Sequence, residues 1–182
     1  MVDNIQVHDL TFQPFLSVEQ IQGRVQEIGI ELSQKFSDQQ PVFLVMLKGA
    51  FVFATDLIRS FEAPAEVSFV RTQSYVGTES SKEVKVILGP TPEEVYQRDI
   101  IIVEDIVDSG RTMDRFLPLL EAQQPRSITL VTLLFKPDML VKDIKIDHVG
   151  FTIPPKFVVG YGLDYDGLGR NLPEIYQLHE HT

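Results

Sequence analysis

The chain of 182 residues contains no cysteine, which excludes disulfides and any thiolate metal site and fits a reducing compartment. Its N-terminus, Met1-Val-Asp-Asn-Ile-Gln, has neither the basic start nor the apolar core of a secretory leader. Its apolar runs are far too short to cross a bilayer. A cytoplasmic protein is the expectation. Positive charge is scarce: 16 Lys and Arg stand against 26 Asp and Glu, a formal net charge of −10. A field of that sign argues against nucleic acid or an anionic membrane as partner. The chain also has no internal repeat, no low-complexity segment and no G-x-x-x-x-G-K-[ST] phosphate loop.

What is present is the composition of a soluble globular protein, 43% apolar and 23% charged, in a length that suits one domain with a sizeable core. Residues 1–15 read as an irregular arm of mixed polarity. Ser17 and Gln20 form a capping box. Ile21, Val25, Ile28, Leu32 and Phe36 then follow at helical spacing, and Ser37-Asp38-Gln39-Gln40-Pro41 ends the helix. Pro41–Leu47 reads as a buried strand, followed by the tight turn Lys48-Gly49-Ala50 and a second helix. Ala65–Thr72 and Val84–Leu88 alternate as strands around a polar, glycine-containing loop that begins at Ser74-Tyr75. Thr91-Pro92-Glu93-Glu94 suits a short helical turn. Pro125–Phe135 is a further β-rich run, ending at Lys136-Pro137-Asp138. Strand, helix and strand recur between 41 and 135, which argues an α/β fold with a parallel sheet and right-handed crossovers. The C-terminal third differs. Asp147–Pro155 reads as a short strand broken by prolines, Lys156–Asp164 as another, Asp166–Asn171 as a glycine-punctuated loop, and Ile175–Leu178 as a last strand.

The most informative stretch runs from Asp99 to Met113. Four apolar residues, Ile100–Val103, lead to two adjacent acids, Glu104 and Asp105, where the strand should end. A loop of small and polar residues follows, then a helix carrying Met113, Phe116, Leu117 and Leu120 on one face. Open α/β sheets bind ligands at the carboxyl ends of their strands. A loop that opens a helix offers unpaired N–H groups and the positive end of the dipole. Ser109, Gly110, Arg111 and Thr112 add hydroxyls, close approach and a cation, which suits a phosphate monoester. Carboxylates just before such a seat suit sugar hydroxyls. The pattern therefore describes a phosphorylated sugar; the plainer alternative is a solvated acidic strand end and an ordinary capped helix.

Val-Glu-Asp-Ile-Val-Asp-Ser-Gly-Arg-Thr-Met, residues 103–113, resembles the phosphoribosyl pyrophosphate (PRPP) motif of the type I phosphoribosyltransferases. Leu47-Lys48-Gly49 resembles the pyrophosphate loop of the hypoxanthine-guanine branch, where the peptide before the glycine is often cis. The Ser74-Tyr75 loop is similar to the family's catalytic lid, and Lys156–Tyr165 to its base-binding segment. The resemblance spans residue 41 to the end, with the motifs in the family's order. It implies a parallel-sheet core with helices on both faces, about residues 37–140, and a small hood from about 1–15 and 145–182, in one domain.

It also implies roles. Glu104 and Asp105 would hold ribose hydroxyls and, with Asp164, magnesium. Ser109, Gly110, Arg111 and Thr112 would hold the 5′-phosphate, and Lys48, Gly49 and Arg170 the pyrophosphate. Arg111 stands where many relatives have lysine. Asp108 would accept a proton from the purine, or else serve as a turn or cap aspartate. Lys136 would contact the purine's exocyclic oxygen, or else be a solvated strand-end lysine. Phe157 would stack on the base, or else be a core aromatic, and the Val158 backbone would read the purine edge. Ser74 and Tyr75 would close the lid.

The expected reaction joins a 6-oxopurine, hypoxanthine and/or guanine, to PRPP with magnesium, giving IMP or GMP and pyrophosphate. The alternatives are a xanthine-preferring enzyme and a regulatory protein that keeps the PRPP fold without catalysis. A polyanionic substrate sits awkwardly with a charge of −10, unless local cations or the metal reverse the field. The family usually assembles as dimers or tetramers.

Overall fold

Five consecutive buried residues, Val42 to Met46, run through the centre of a sheet beside the equally buried apolar run Ile100–Val103. The computed structural model describes residues 3–74 and 84–179. The central strand is β3 (Val42–Leu47). On one side it pairs in parallel with β4 (Glu66–Ser74), on the other with β6 (Asp99–Val107). β6 in turn pairs in parallel with β7 (Ser127–Phe135), and β5 (Val84–Leu88) adds antiparallel to β4 at one edge. Residues 100–103 and 130–134 are buried on both alternations, as strands covered on two faces require. Two units carry the cover: β3–α2–β4, with α2 at Phe51–Arg59, and β6–α4–β7, with α4 at Arg111–Glu121. They run in opposite directions from the β3–β6 pair, and right-handed crossovers in opposite directions put α2 and α4 on opposite faces. The short α3 (Pro92–Val95) precedes β6, its first turn closed by Thr91 and Glu94.

The long α1 (Val18–Lys35) begins at the capping box read from sequence: Gln20 N–H donates to Ser17 Oγ, and Ser17 N–H to Gln20 Oε1. It buries Ile21, Val25, Ile28 and Leu32. Arg24 on α1 donates to the carbonyls of Val149 and Gly150. These belong to β8 (His148–Thr152), which pairs in parallel with β7 at the other edge of the main sheet. Sequence reasoning grouped this strand with the hood. Its prolines follow the strand instead of interrupting it, so they do not bar it from the sheet, and a charged donor from α1 occupies edge carbonyls.

The second sheet has the order β1–β2–β10–β9 and joins the two chain ends: β1 (Ile5–Val7), β2 (Leu10–Leu16), β10 (Ile175–Leu178) and β9 (Val158–Val159), all antiparallel. Residues 5–16 are thus a hairpin and not an irregular arm. β2 hides from pattern reading because Pro14 interrupts it and only Phe12 and Leu16 are deeply buried. The strand expected over 156–164 shrinks to two residues, because Gly160, Tyr161 and Gly162 all take positive φ and turn the chain. Among the described residues no helix is long and apolar enough to cross a membrane.

The amino ends of the strands carry stability. Asp99, only 3% exposed, accepts from the Arg126 guanidinium and from Ser127 Oγ (2.7 Å). The Arg126 hydrogen bond holds the Asp99 carboxyl below its ordinary value of 3.8, against the opposing effect of burial. A depressed carboxyl contributes stability that is present above the unfolded value and lost as pH falls through the folded one. Asp99→Asn should therefore be less stable than the parent in urea at pH 7, and the gap should close as pH falls below about 3.8. A gap that stays constant with pH would assign the loss to packing.

Candidate active site

β3 and β6 are neighbours whose chains leave in opposite directions, and the crevice beyond the carboxyl ends of such a pair is where open α/β sheets bind ligands. The loop that leaves β3 lies against the carboxyl-terminal part of β6. A Cβ on Gly49 would overlap the Asp105 carboxylate, so the bare glycine is what lets Asp105 lie against the β3 loop. The cis peptide is Leu47–Lys48, one residue earlier than the bond before Gly49 to which the family resemblance pointed. Leu47 is the last residue of β3 still paired with β4, so the backbone turns where the strand ends.

Glu104 and Asp105 lie within β6 and do not end it as the sequence suggested: the strand runs on through Ile106 and Val107, which still pair with β7. Burial holds Glu104 well above the usual carboxylate range, reinforced by the charges of Asp105 and Asp108. Burial also raises Asp105, opposed by a hydrogen bond from Glu104, the Ile106 N–H (2.9 Å) and the charge of Arg170. Among the described residues, Glu104 Oε2 is the one fully buried side-chain oxygen without a hydrogen-bond partner. A buried orphan oxygen is costly. Two adjoining acids with such an atom suit hydroxyl donors or a hard divalent cation.

Beyond them the loop is tied from outside. Ser109 O accepts from the amides of Val141 and Lys142, both at 3.1 Å. Gly110, at φ +73, caps α4 with its Cα against the Lys142 carbonyl, a place where a side chain meets both strain and collision. Arg111 and Thr112 are exposed in the first turn of α4. Glu104, Asp108, Gly110 and Thr112 line one small hollow together with Ile106, Val107 and Met113. The loop is thus a rigid seat with first-turn donors and a cation, as an anion requires. Asp108 is exposed and accepts the Ser109 N–H.

Lys136 follows β7 and donates its amide to Val107 O (2.9 Å), which sets it beside Asp108. It is not a solvated strand-end lysine: it is 8% exposed, and burial pushes its pKa down while the charge of Asp108 opposes the shift. Phe157 is the converse, an aromatic that is not in the core. It is 42% exposed, held edge-on by Tyr165 (5.7 Å between centroids, 80°) and tilted against the buried Phe12 (6.0 Å). Val158 is buried in β9 opposite Gln177.

Arg170 is held within the hood, near enough for its charge to act on Asp105. Its Nη1 donates to Gly162 O (2.7 Å) and its Nη2 pairs with Asp164 Oδ1 (2.6 Å). Asp164 also accepts the Gly167 N–H, so both its oxygens are engaged within the hood. Among the described residues no three His, Asp or Glu side chains are grouped to hold a metal. Glu104, Asp105 and Asp164 thus form no protein-only cage, and magnesium, which is usually held by one or two carboxylates plus substrate oxygens and water, needs none. Ser74 ends β4, and Tyr75 with the rest of the expected lid lies outside the described residues.

Sequence reasoning assigned nothing to Asp56, to Tyr161, or to the Asp9–Tyr165 hydrogen bond (2.8 Å) behind Phe157. The signal at Tyr161 was a bulky residue between two glycines; Asp9 and Asp56 carried none, because their partners are more than 100 residues away.

Residues 16–166 match the phosphoribosyl transferase domain family. The chain is 44% identical over 169 residues to a hypoxanthine-guanine phosphoribosyltransferase of Bacillus subtilis (strain 168), covering 92% of this chain and 93% of that protein. It is 41% identical over 175 residues to one from Mycobacterium avium, covering 89% and 86%. A crystal structure of a hypoxanthine phosphoribosyltransferase from Staphylococcus aureus superposes with a TM-score of 0.85 at 38% identity, over 92% of this chain and 91% of that one.

Proposed function

We infer, from a chain that belongs to the phosphoribosyl transferase domain family, that this enzyme joins hypoxanthine and/or guanine to PRPP, giving IMP or GMP and pyrophosphate in purine salvage. The observation that carries the reading is the convergence at one sheet edge. Buried acids on β6, and the phosphate seat that follows it, meet the Gly49 loop, with the Arg170 charge acting on Asp105 and Lys136 set beside Asp108.

The residues divide the work. Ser109, Gly110, Arg111 and Thr112 bind the 5′-phosphate, and Glu104 and Asp105 hold the ribose hydroxyls as the ring gains positive charge. Lys48, Gly49 and Arg170 bind the pyrophosphate, where an arginine fork suits the anion. The bond from the anomeric carbon to pyrophosphate breaks, the bond to a purine ring nitrogen forms, and that nitrogen's proton passes to Asp108. Phe157 stacks on the base, the Val158 backbone reads its edge, and Lys136 donates to its exocyclic oxygen. Ser74 and Tyr75 close the loop over the site and exclude water.

Glu104, Asp105 and Asp164 would hold magnesium, which would supply positive charge to neutralise the leaving pyrophosphate. The metal and the cations Lys48, Arg111, Lys136 and Arg170 answer the net charge of −10. We read the chain as one domain, hood included, working in the cytoplasm as a homo-oligomer, a dimer or a tetramer.

The test is a spectrophotometric assay with PRPP, with and without magnesium, against hypoxanthine, guanine, xanthine and adenine. Magnesium-dependent turnover of hypoxanthine or guanine, and not of adenine, is expected. Preference for xanthine would shift the substrate, and binding of PRPP without turnover of any base would point to a regulator. Lys136→Ala should raise the KM for hypoxanthine and guanine about tenfold or more, the loss of one charge-assisted hydrogen bond. Inhibition by adenine analogues should change less; equal losses would remove Lys136 as the reader of the oxygen.

A further inference from the structure

The hood turn that aims Arg170 is built from three residues in positive φ: Gly160 (+105), Tyr161 (+49) and Gly162 (+100). The glycines take that conformation freely, but Tyr161 does not. Three contacts hold it. Its ring is buried, its N–H donates to Leu172 O (2.8 Å), and its hydroxyl donates to Asp56 Oδ2 (2.6 Å). Asp56 lies on the second turn of α2, the helix that begins directly after Lys48-Gly49-Ala50. The hydroxyl–carboxylate bond therefore ties the hood to the same rigid helix that follows the β3 loop.

The residue after Tyr161 completes the link. Gly162 donates its N–H to Arg170 O (3.0 Å) and accepts Arg170 Nη1 at its carbonyl (2.7 Å). A Cβ on Gly162 would overlap the Gly49 carbonyl, so the two loops meet backbone to backbone. From α2 the chain of contacts runs Asp56, Tyr161, Gly162, Arg170, and it returns to α2 through Gly49.

We propose that Asp56 and Tyr161 are positioning residues that set the distance between the two halves of the pyrophosphate seat, the Lys48-Gly49 loop and Arg170, without touching the substrate. The inference rests on the phosphoribosyl transfer reading above. Alternatives to a positioning role make different demands. If the pair were only a fold contact, its loss would lower stability and affect both substrates alike. If it aimed the base, the purine KM would move, since Phe157 and Lys136 lie on other elements.

The experiment compares Tyr161→Phe, Asp56→Ala and Asp56→Asn, each alone, with the Tyr161→Phe/Asp56→Ala double variant. Expected for Tyr161→Phe and Asp56→Ala is a rise of about tenfold in the KM for PRPP and a similar loss of pyrophosphate affinity by calorimetry, with the purine KM unchanged; a small displacement of a binding group has effects of this order. Asp56→Asn, which can still accept the tyrosine hydroxyl, should recover most of the affinity. The double variant should be no worse than the worse single, because both remove one bond. Unchanged PRPP KM and pyrophosphate affinity in folded variants, or equal shifts in both substrates, overturn the proposal. If one variant fails to fold, the remaining variants decide by the same readouts. Wild-type protein without turnover on any base rejects the reading on which the proposal rests, and the proposal with it, whereas wild-type turnover with unmoved variants rejects the positioning role alone.

Discussion

Gly49→Ala is expected to lower kcat/KM for PRPP by about a hundredfold or more while leaving a folded protein. A methyl group at this position lands on the Asp105 carboxylate. The loop cannot retreat, because its carbonyl already abuts Gly162. Asp105 cannot simply swing away either, since it is engaged by the Ile106 N–H and by Glu104 inside a buried pocket. Something in the seat must therefore move, and displacement of catalytic groups by about 1 Å costs on the order of a hundredfold. Overpacking of this kind also destabilises by about 1–3 kcal/mol. Gly23→Ala is the matched control: it lies within α1, a Cβ there meets nothing within 4 Å, and it should stabilise by about 0.5–1 kcal/mol with activity unchanged. Kinetics and urea unfolding on the two variants separate the effects. Near-normal activity in Gly49→Ala would show that the contact between Gly49 and Asp105 is incidental.

Asp108→Asn should reduce turnover by about 10²- to 10⁴-fold, the usual range for a general base. The KM for PRPP should stay within about threefold, by the logic that only transition-state contacts are lost. The geometry makes this substitution clean. The Asp108 side chain accepts the Ser109 N–H, and an asparagine oxygen can do the same, so the phosphate loop keeps its shape. The loop is in any case tied by Val141 and Lys142 to Ser109 O, which the substitution does not touch. What disappears is the proposed proton acceptor and a negative charge beside Lys136. Rapid-quench measurement of the chemical step decides the matter. If PRPP affinity falls in parallel with turnover, Asp108 is a loop-shaping residue and the proton goes elsewhere.

Local chemistry was legible in the residues themselves. The run Ile100–Val103, the acids after it and the small residues before Met113 prescribe strand, loop and helix through interactions that span only a few positions, and the structure has β6 and α4 there, with β6 carried two residues past the acids to Val107. The same holds for α1, whose cap and apolar stripe are local. Pattern reading failed where a segment's partner is distant. Leu10–Leu16, broken by Pro14, sits in its sheet between its hairpin partner and β10 from the far end of the chain, and His148–Thr152 joins the main sheet beside β7, with Arg24 on its carbonyls.

The tertiary structure alone decided the burial and coupling of the site. A lysine after a strand reads the same whether solvated or buried; packing put Lys136 at 8% exposure and left Phe157 at 42%. Nothing in the string shows that Gly49 must be bare because Asp105, 56 positions later, fills its place, or that Asp56 holds Tyr161. Residue types carry the capacity to bind phosphate, sugar and base, because donors, acceptors and charges belong to side chains. Their protonation, desolvation and alignment depend on what surrounds them, and those neighbours come from parts of the chain that meet only after folding.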